Sequence, residues 1–491
     1  MAMVFSPSVS LPFFSRRPCC STSHKCCPFI SPRSKATKGI ETLFALATTT
    51  RRRRKSIITI RSTGVNASLG SSAEAGRLES FWRWLCERGV VSEDSPLVKP
   101  GVVREGLGLV AQRNISQNEV VVKVPRKLWI NPDTVAASQI GSEGGLPVAY
   151  LLRHPSRLHK FYHLLNRSEE ELSEIQGTQL LSTTLGVKDY VKSEFLKVKE
   201  QVIAPHSHLF PSITLDDFLW AFGILRSRAF SRLRGESLVL IPFADLINHG
   251  SSIISEDVAW EIKGTGLFSK ELVFSLRTPL AVKAGEQVLI QYDLQKSNAE
   301  LALDYGFIES RSDRDAYTLT LEIPESDSFF GDKLDIAESN GLGETAYFDI
   351  VLGHALPQAM LPFLRLVALG GTDAFLLESI FRNSIWGHLD MPISRANEEL
   401  ICRVVRDACN SALSAYHTTV EEDEELMDAG TLDPKLEIAV RIRAGEKKVL
   451  HQIDRIFKER EMELDSLEYY QERRLKELGL VGEQGEIIFW E

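Results

Sequence analysis

The chain has 491 residues, 43% hydrophobic and 25% charged, with a formal net charge of −9. At roughly 100–200 residues per domain this length implies several domains, or one large domain with an appendage. Residues 1–64 hold twelve Lys/Arg against one acid, Glu41, and the remaining 427 residues carry a charge of −20. An acidic body of that kind argues against a general nucleic-acid binder, which needs a basic footprint. Four of the seven cysteines lie in the first 30 residues, and only Cys86, Cys402 and Cys409 follow. That spacing excludes a disulfide scaffold and a Cys-rich zinc module. No run of about 18 apolar residues exists to span a bilayer.

The segment 1–64 is rich in Ser, Thr, Arg and Lys and has no continuous apolar core. It reads as an organellar transit peptide, with chloroplast favoured over mitochondrion, and cleavage is expected near residues 58–68. An unstructured basic tail is the plainer alternative, and Arg51–Lys55 on its own would suit a nuclear signal.

Residues 77–90 place Leu78, Phe81, Trp84 and Leu85 at helical spacing. Short strands are expected at 102–103, 109–111 and 120–124, punctuated by Gly and Asn. Apolar residues at three- and four-residue spacing predict helices at 156–176, 189–203 and 214–230. Strands are then predicted at 239–241, 258–262, 272–276, 287–291 and 317–323, with a short helix at 297–303. From about Asp332 the pattern is helical, with Ile442, Val449, Ile453 and Ile456 on one side of a helix. The acidic run 421–425 reads as a solvated loop or helix end. This order suggests a β domain split by a helical insertion.

Three stretches carry candidate chemistry. Glu105-Gly106-Leu107-Gly108-Leu109 could open a dinucleotide fingerprint, but that motif wants a third glycine where Ala111 stands, followed by a helix. A glycine hairpin bringing bare backbone to a ligand fits better, beside a purely structural turn. Asp245-Leu246-Ile247-Asn248-His249-Gly250 crowds polar groups at the end of an apolar run, for ligand binding or for core satisfaction. Gly285–Asp293 ends near Tyr292, and Asp304-Tyr305-Gly306-Phe307 adds two aromatics, which could equally be plain core. His159 with His163, and His206 with His208, lack the partners of a metal site, so no metal is expected. No nucleophile motif such as GxSxG, no P-loop and no kinase signature is present. A group-transfer enzyme with a reactive cofactor would need none of them.

Taken in order, EGLGL, ADLINHG, GEQVLIQYD and KSNAELALDYGFIE resemble the SET-domain protein methyltransferases. More closely the chain is similar to the chloroplast group that methylates lysine in the Rubisco large subunit or in fructose-bisphosphate aldolase. AYTLTLEIPESD, LRLVALGGTDAFLLES and SLEYYQERRLKELGL also look typical of that group. The resemblance implies an α+β protein with a knotted β-rich SET domain at 77–310, carrying a helical insertion at about 145–235. An all-α substrate-binding domain would follow at 325–485. It implies S-adenosyl-L-methionine as cofactor, cradled by Glu105, Gly106 and Leu107 and held by Asn248, His249 and Arg228. Tyr292 would be catalytic, with Tyr305 and Phe307 walling the channel and the adenine side. Arg228, Arg232, Asp245, Trp260, Tyr292 and Tyr305 would meet the substrate. The implied enzyme is a stromal, monomeric protein-lysine methyltransferase producing up to trimethyl-lysine, with no nucleic acid or membrane as partner. A non-catalytic binding protein and a protein-histidine methyltransferase are the alternatives. Two positions depart from the group: Gly250 stands where Ser or Asp is usual, and Trp260 where Tyr occurs.

Overall fold

The computed structural model describes residues 72–131, 134, 164–205, 207, 213–230, 239–254, 259–264, 272–382, 384–430 and 432–480. The expected transit peptide, the first part of the insertion, Arg232 and all four histidines considered as metal ligands lie outside the described residues.

Helix α1 (Ser72–Glu87) opens the described chain. Strands β1 (Val98–Val103), β2 (Gly106–Ala111) and β3 (Val120–Pro125) follow. The insertion contributes α2 (Gln179–Val198) and α3 (Leu215–Arg228). Next come β4 (Asn248–His249), β5 (Trp260–Gly264), β6 (Leu272–Arg277), β7 (Gln287–Ile290) and α4 (Asn298–Tyr305). The chain continues through β8 (Ala316–Glu322), α5 (Phe330–Ser339), β9 (Thr345–Val351) and α6 (Met360–Ala368). It then runs through α7 (Arg395–Leu413), α8 (Val420–Asp428), α9 (Pro434–Met462) and α10 (Tyr470–Glu477).

One sheet has the order β1-β2-β7-β4, and a second has β3-β6-β5. The β1–β2 hairpin is antiparallel, and β4 pairs with β7 in parallel, Asn248 opposite Leu289 and His249 opposite Ile290. No helix follows the EGLGL hairpin; β3 does, so the dinucleotide-fold reading fails. The expected strand at 239–241 is reduced to isolated bridges, Phe230 to Val239 and Ile130 to Leu240. In α1 the residues most enclosed are Trp82 and Leu85, rather than the whole of the expected face. Leu109, Val122, Phe243, Phe274, Leu276 and Val288 close the core between these sheets. Full burial of each such side chain contributes roughly 1.5–3 kcal/mol.

The C-terminal region is helical with one exception. In β9 Ala346, Phe348 and Ile350 are buried, Tyr347 and Asp349 are exposed, and the strand pairs antiparallel with β8, Phe348 opposite Leu319. This corrects the all-α expectation for 325–485: period-2 alternation in TAYFDIV marks a half-buried strand. The acidic run bears out the helix-end reading, with one residue corrected. It forms the first turns of α8, where Thr419 and Glu422 make a capping box. Asp423, however, is fully buried and pairs with Arg443 and Lys447 of α9, each at 2.7 Å.

The insertion joins the two halves. Leu164, Leu172, Ile175 and Leu180 pack with Ala302 and Leu303 of α4 and with Ala439 and Ile442 of α9. Gln179 at the start of α2 bonds to both N–H and C=O of Thr318, at 2.9 and 2.7 Å, extending the edge of β8. The β core, insertion and C-terminal helices therefore meet around α4, the helix that carries Tyr305.

Candidate active site

Local chemistry sets the length of α4. Ser297 Oγ accepts from Glu300 N, and Glu300 Oε2 accepts from Ser297 N at 2.8 Å, a complete capping box. Gly306 ends the helix in the left-handed region with φ 80°, where a side chain would be strained. Tyr305 and Phe307 thus flank a sharp helix end, their rings stacked with centroids 5.8 Å apart. Asp304 fixes the same helix to the insertion, pairing with Arg226 of α3 and with Lys296 at 2.8 Å. Burial alone would raise the Asp304 pKa, but these two cations hold it below the usual carboxylate range.

The rings of His249, Tyr292, Tyr305 and Phe307 converge. Tyr292 lies 4.9 Å from Tyr305 and 6.1 Å from Phe307, while His249 stacks on Phe307 at 4.9 Å. The Tyr292 hydroxyl donates to the carbonyl of Ile247 at 2.6 Å. Burial raises the pKa of both Tyr292 and Tyr305, so both remain phenols. His249 Nδ1 accepts from the Tyr292 backbone N–H at 3.3 Å, and Nε2 faces Glu309 Oε1 at 2.8 Å. Burial lowers the His249 pKa against the opposing pull of Glu309, which favours a neutral ring.

Asn248 is buried and ties the site to the glycine hairpin. Its Nδ2 donates to the Leu107 carbonyl at 2.9 Å and to Gln287 Oε1 at 2.6 Å. Gln287 in turn donates to Glu105 Oε2 at 3.2 Å. The two hairpin glycines serve different needs. A Cβ on Gly108 would come within 2.3 Å of Gln287 Oε1 and 3.0 Å of Asn248 Nδ2. A Cβ on Gly106 would meet nothing within 4 Å, so φ +114° is what demands glycine there. At Gly250 a Cβ would lie 3.0 Å from side-chain atoms of Ile253 and Leu289, a tight fit that asks those neighbours to give by a few tenths of an ångström.

Arg228, at the end of α3, donates to the Asp245 carbonyl at 2.7 Å. Burial pushes the Asp245 carboxyl up to about 6 although Arg228 opposes the shift. Just before it, buried Phe243 sits at φ 79°, a conformation costing a bulky residue about 1–3 kcal/mol. Trp260 belongs to a separate aromatic group: it stacks on Phe274 at 5.9 Å and meets Phe230 edge-on. The geometry thus ties Leu107 directly and Glu105 through Gln287 to Asn248, gathers the rings of His249, Tyr292, Tyr305 and Phe307, leaves Gly106 at the open hairpin tip, and ties Arg228 to Asp245. It seats Trp260 on the other sheet. Sequence reading did not single out Gly108, Gln287, Asn298, Glu309 or Arg314. Each is in or near a quoted motif, but nothing local marks which polar residue will face which.

The glycine hairpin tied to buried Asn248, the converging rings and the helical C-terminal region fit a SET-domain protein methyltransferase, the class that similar proteins and structures show. A family model described as "Rubisco LSMT substrate-binding" matches residues 324–450. The chain is 64% identical over 443 residues to the [fructose-bisphosphate aldolase]-lysine N-methyltransferase of Arabidopsis thaliana, covering 86% of this chain and 92% of that one. It is also 64% identical over 434 residues to the Rubisco large subunit N-methyltransferase of Nicotiana tabacum, covering 84% and 88%. Among solved structures it is similar to the SET domain of LSMT bound to lysine and AdoHcy, with 59% identity, TM-score 0.77, and 84% and 97% coverage. The chain belongs to the chloroplast family of Rubisco large-subunit and aldolase lysine N-methyltransferases.

Proposed function

We propose that the protein transfers methyl groups from S-adenosylmethionine to a lysine side chain of the Rubisco large subunit, of chloroplast fructose-bisphosphate aldolase, or of both. It does so as a monomer in the chloroplast stroma, up to trimethyl-lysine. The observation that carries this reading is the convergence of His249, Tyr292, Tyr305 and Phe307 beside the Asn248–Leu107 tie.

The residues suit the cofactor. Open backbone at exposed Gly106 leaves the hairpin tip accessible, with Glu105 at its edge, while Gly108 makes room for Gln287 and Asn248. Asn248 and His249 stand beside it with Phe307 and Tyr305 forming an aromatic wall, and Arg228 approaches from the insertion. Bound S-adenosylmethionine supplies an electrophilic sulfonium methyl group.

The protein's own groups prepare the lysine. An amine with a pKa of about 10.4 in water must lose its proton to attack. Aromatic walls strip water from it, and desolvation favours the neutral amine. Because the Tyr292 hydroxyl spends its proton on Ile247, its oxygen presents lone pairs as acceptors for an amine N–H. That contact would turn the amine lone pair toward the methyl group. Aromatic faces then stabilise the growing positive charge by roughly 0.5–2 kcal/mol each. Holding both reactants in line can remove roughly 7–11 kcal/mol of the barrier. Asp245 and Trp260, outside the ring cluster, are assigned to substrate contact, and so is Arg232, which lies outside the described residues.

The test is incubation of the chain from residue 65 with labelled S-adenosylmethionine and, separately, purified Rubisco and aldolase, with mass mapping of the product. Label on lysine of either protein is the expected result. Label on histidine, or cofactor binding without transfer, would overturn the reading.

A further inference from the structure

We propose that Glu309 is a positioning residue for the methyl-transfer site, acting through the imidazole of His249. The inference rests on the assignment of His249 to that site.

Glu309 is nearly inaccessible to solvent, and its carboxylate is held on several sides. Arg314, equally buried, approaches Oε1 with Nη2 at 3.0 Å and Oε2 with Nε at 3.3 Å. Arg314 Nη1 is anchored on the Lys296 carbonyl at 2.7 Å. The Glu309 backbone N–H donates to Asn298 Oδ1 at 2.9 Å, and Asn298 Nδ2 donates to Asp315 Oδ1 at 2.9 Å. Asp315 in turn lies against Gly445 of α9, where a Cβ would come within 2.7 Å of its carboxyl carbon. A carboxylate secured this way presents one oxygen to His249 Nε2 in a fixed direction.

The consequence is a single protonation pattern. Nδ1 accepts the Tyr292 N–H, so it carries no proton. Nε2 must then carry the proton and donate it to Glu309. A ring flip would set a C–H against the carboxylate and another against the Tyr292 N–H, losing both bonds. Burial independently depresses the His249 pKa and keeps the ring neutral. The ring so fixed stacks on Phe307 and meets Tyr292 edge-on at 5.3 Å, and it also holds the Tyr292 main chain. Glu309 therefore sets the position of a residue it does not touch, the Tyr292 that faces the amine.

Nitrogen NMR of histidine-labelled protein, with His249 identified by its loss in His249→Gln, tests this directly. The wild type is expected to show His249 neutral and protonated on Nε2 through pH 7–8. In Glu309→Gln the pattern should shift toward mixed tautomers, and kcat should fall tenfold or more while KM for the protein substrate stays within twofold. Glu309→Asp, which keeps the charge, should recover part of kcat. A wild-type His249 protonated on Nδ1, or charged at pH 8, overturns the inference even if the variants fail to fold. An unshifted tautomer with intact kcat overturns the inference alone. A shifted tautomer with intact kcat overturns the assignment of His249 to the site, and the inference with it.

Discussion

Asn248 and Leu107 stand 141 positions apart and share a 2.9 Å hydrogen bond, the Asn248 amide donating to the Leu107 carbonyl. The bond fastens the glycine hairpin to β4. Its other amide proton is spent on Gln287, so both donor positions of this side chain serve the protein itself. In the proposed function Asn248 would order the cofactor cradle through these two bonds. Asn248→Ala would leave two acceptors unpaired, at about 1–3 kcal/mol each where they are buried. S-adenosylmethionine affinity by calorimetry is expected to drop tenfold or more in a variant that keeps its circular dichroism spectrum. Unchanged affinity would remove Asn248 from the site.

Tyr292→Phe removes one oxygen from a ring already enclosed by His249, Tyr305 and Phe307. The ring wall survives, so cofactor affinity should stay within about threefold, while turnover falls on the order of 10²-fold because the amine loses its orientation. Single-turnover kinetics at saturating cofactor make the measurement. Turnover near wild type would reduce Tyr292 to a wall residue.

Glu446 predicts a pH dependence of stability. It is buried between the insertion and the C-terminal helices, accepting from the Gln179 N–H at 3.0 Å and the Tyr416 hydroxyl at 2.7 Å. Burial pushes its pKa up to about 7 from an ordinary 4.5 despite these bonds. The folded state therefore holds a proton that the unfolded chain releases more easily. This group's contribution is full below pH 4.5, declines as pH rises, and is gone above about 7. Glu446→Gln should accordingly gain melting temperature over wild type at pH 8 more than at pH 5. Equal differences at both pH values would refute the assignment.

The acidic run of α8 divides into structure and surface. Asp423 is enclosed between Arg443 and Lys447, so Asp423→Ala strands two buried cations and should destabilise by about 3–5 kcal/mol. Glu421 and Glu425 are exposed. Reversing Glu425 to Lys should be nearly neutral, and reversing Glu421, whose carboxylate accepts at the helix N-terminus, should lower stability slightly. If this surface docks the protein substrate, the reversal should raise KM for whole Rubisco or aldolase while a short lysine peptide is unaffected. Equal effects on both substrates would defeat docking here.

Much of the architecture was legible in local pattern. Helical spacing located α3, α9 and the second half of α2, but it left out 179–188, and it ended α4 at 303 where the helix runs Asn298–Tyr305 to the Gly306 cap. Strand β9 was missed although TAYFDIV alternates, because helical spacing dominated the chain around it and its partner β8 lies across α5. Asp423 was read as solvated because a charge run shows its composition and hides its neighbours; Arg443 and Lys447 arrive from another helix.

The sequence by itself determined the charge division between 1–64 and the body, the order of most strands and helices, and the motifs that gather at the site. Those properties reside in composition and short-range spacing, which folding leaves unchanged. Only the tertiary structure decided that Gln287 shares the Asn248 amide, that the Gln287 and Asn248 side-chain ends crowd Gly108, that Trp260 lies in a different aromatic group, and that Glu309 with Arg314 faces His249. The physical reason is that a buried polar group must find its partner wherever the chain crossings bring one. For His249 and Glu309 that partner lies 60 residues away, for Asn248 and Leu107 it lies 141. No periodicity along the chain records which residues will meet at such distances.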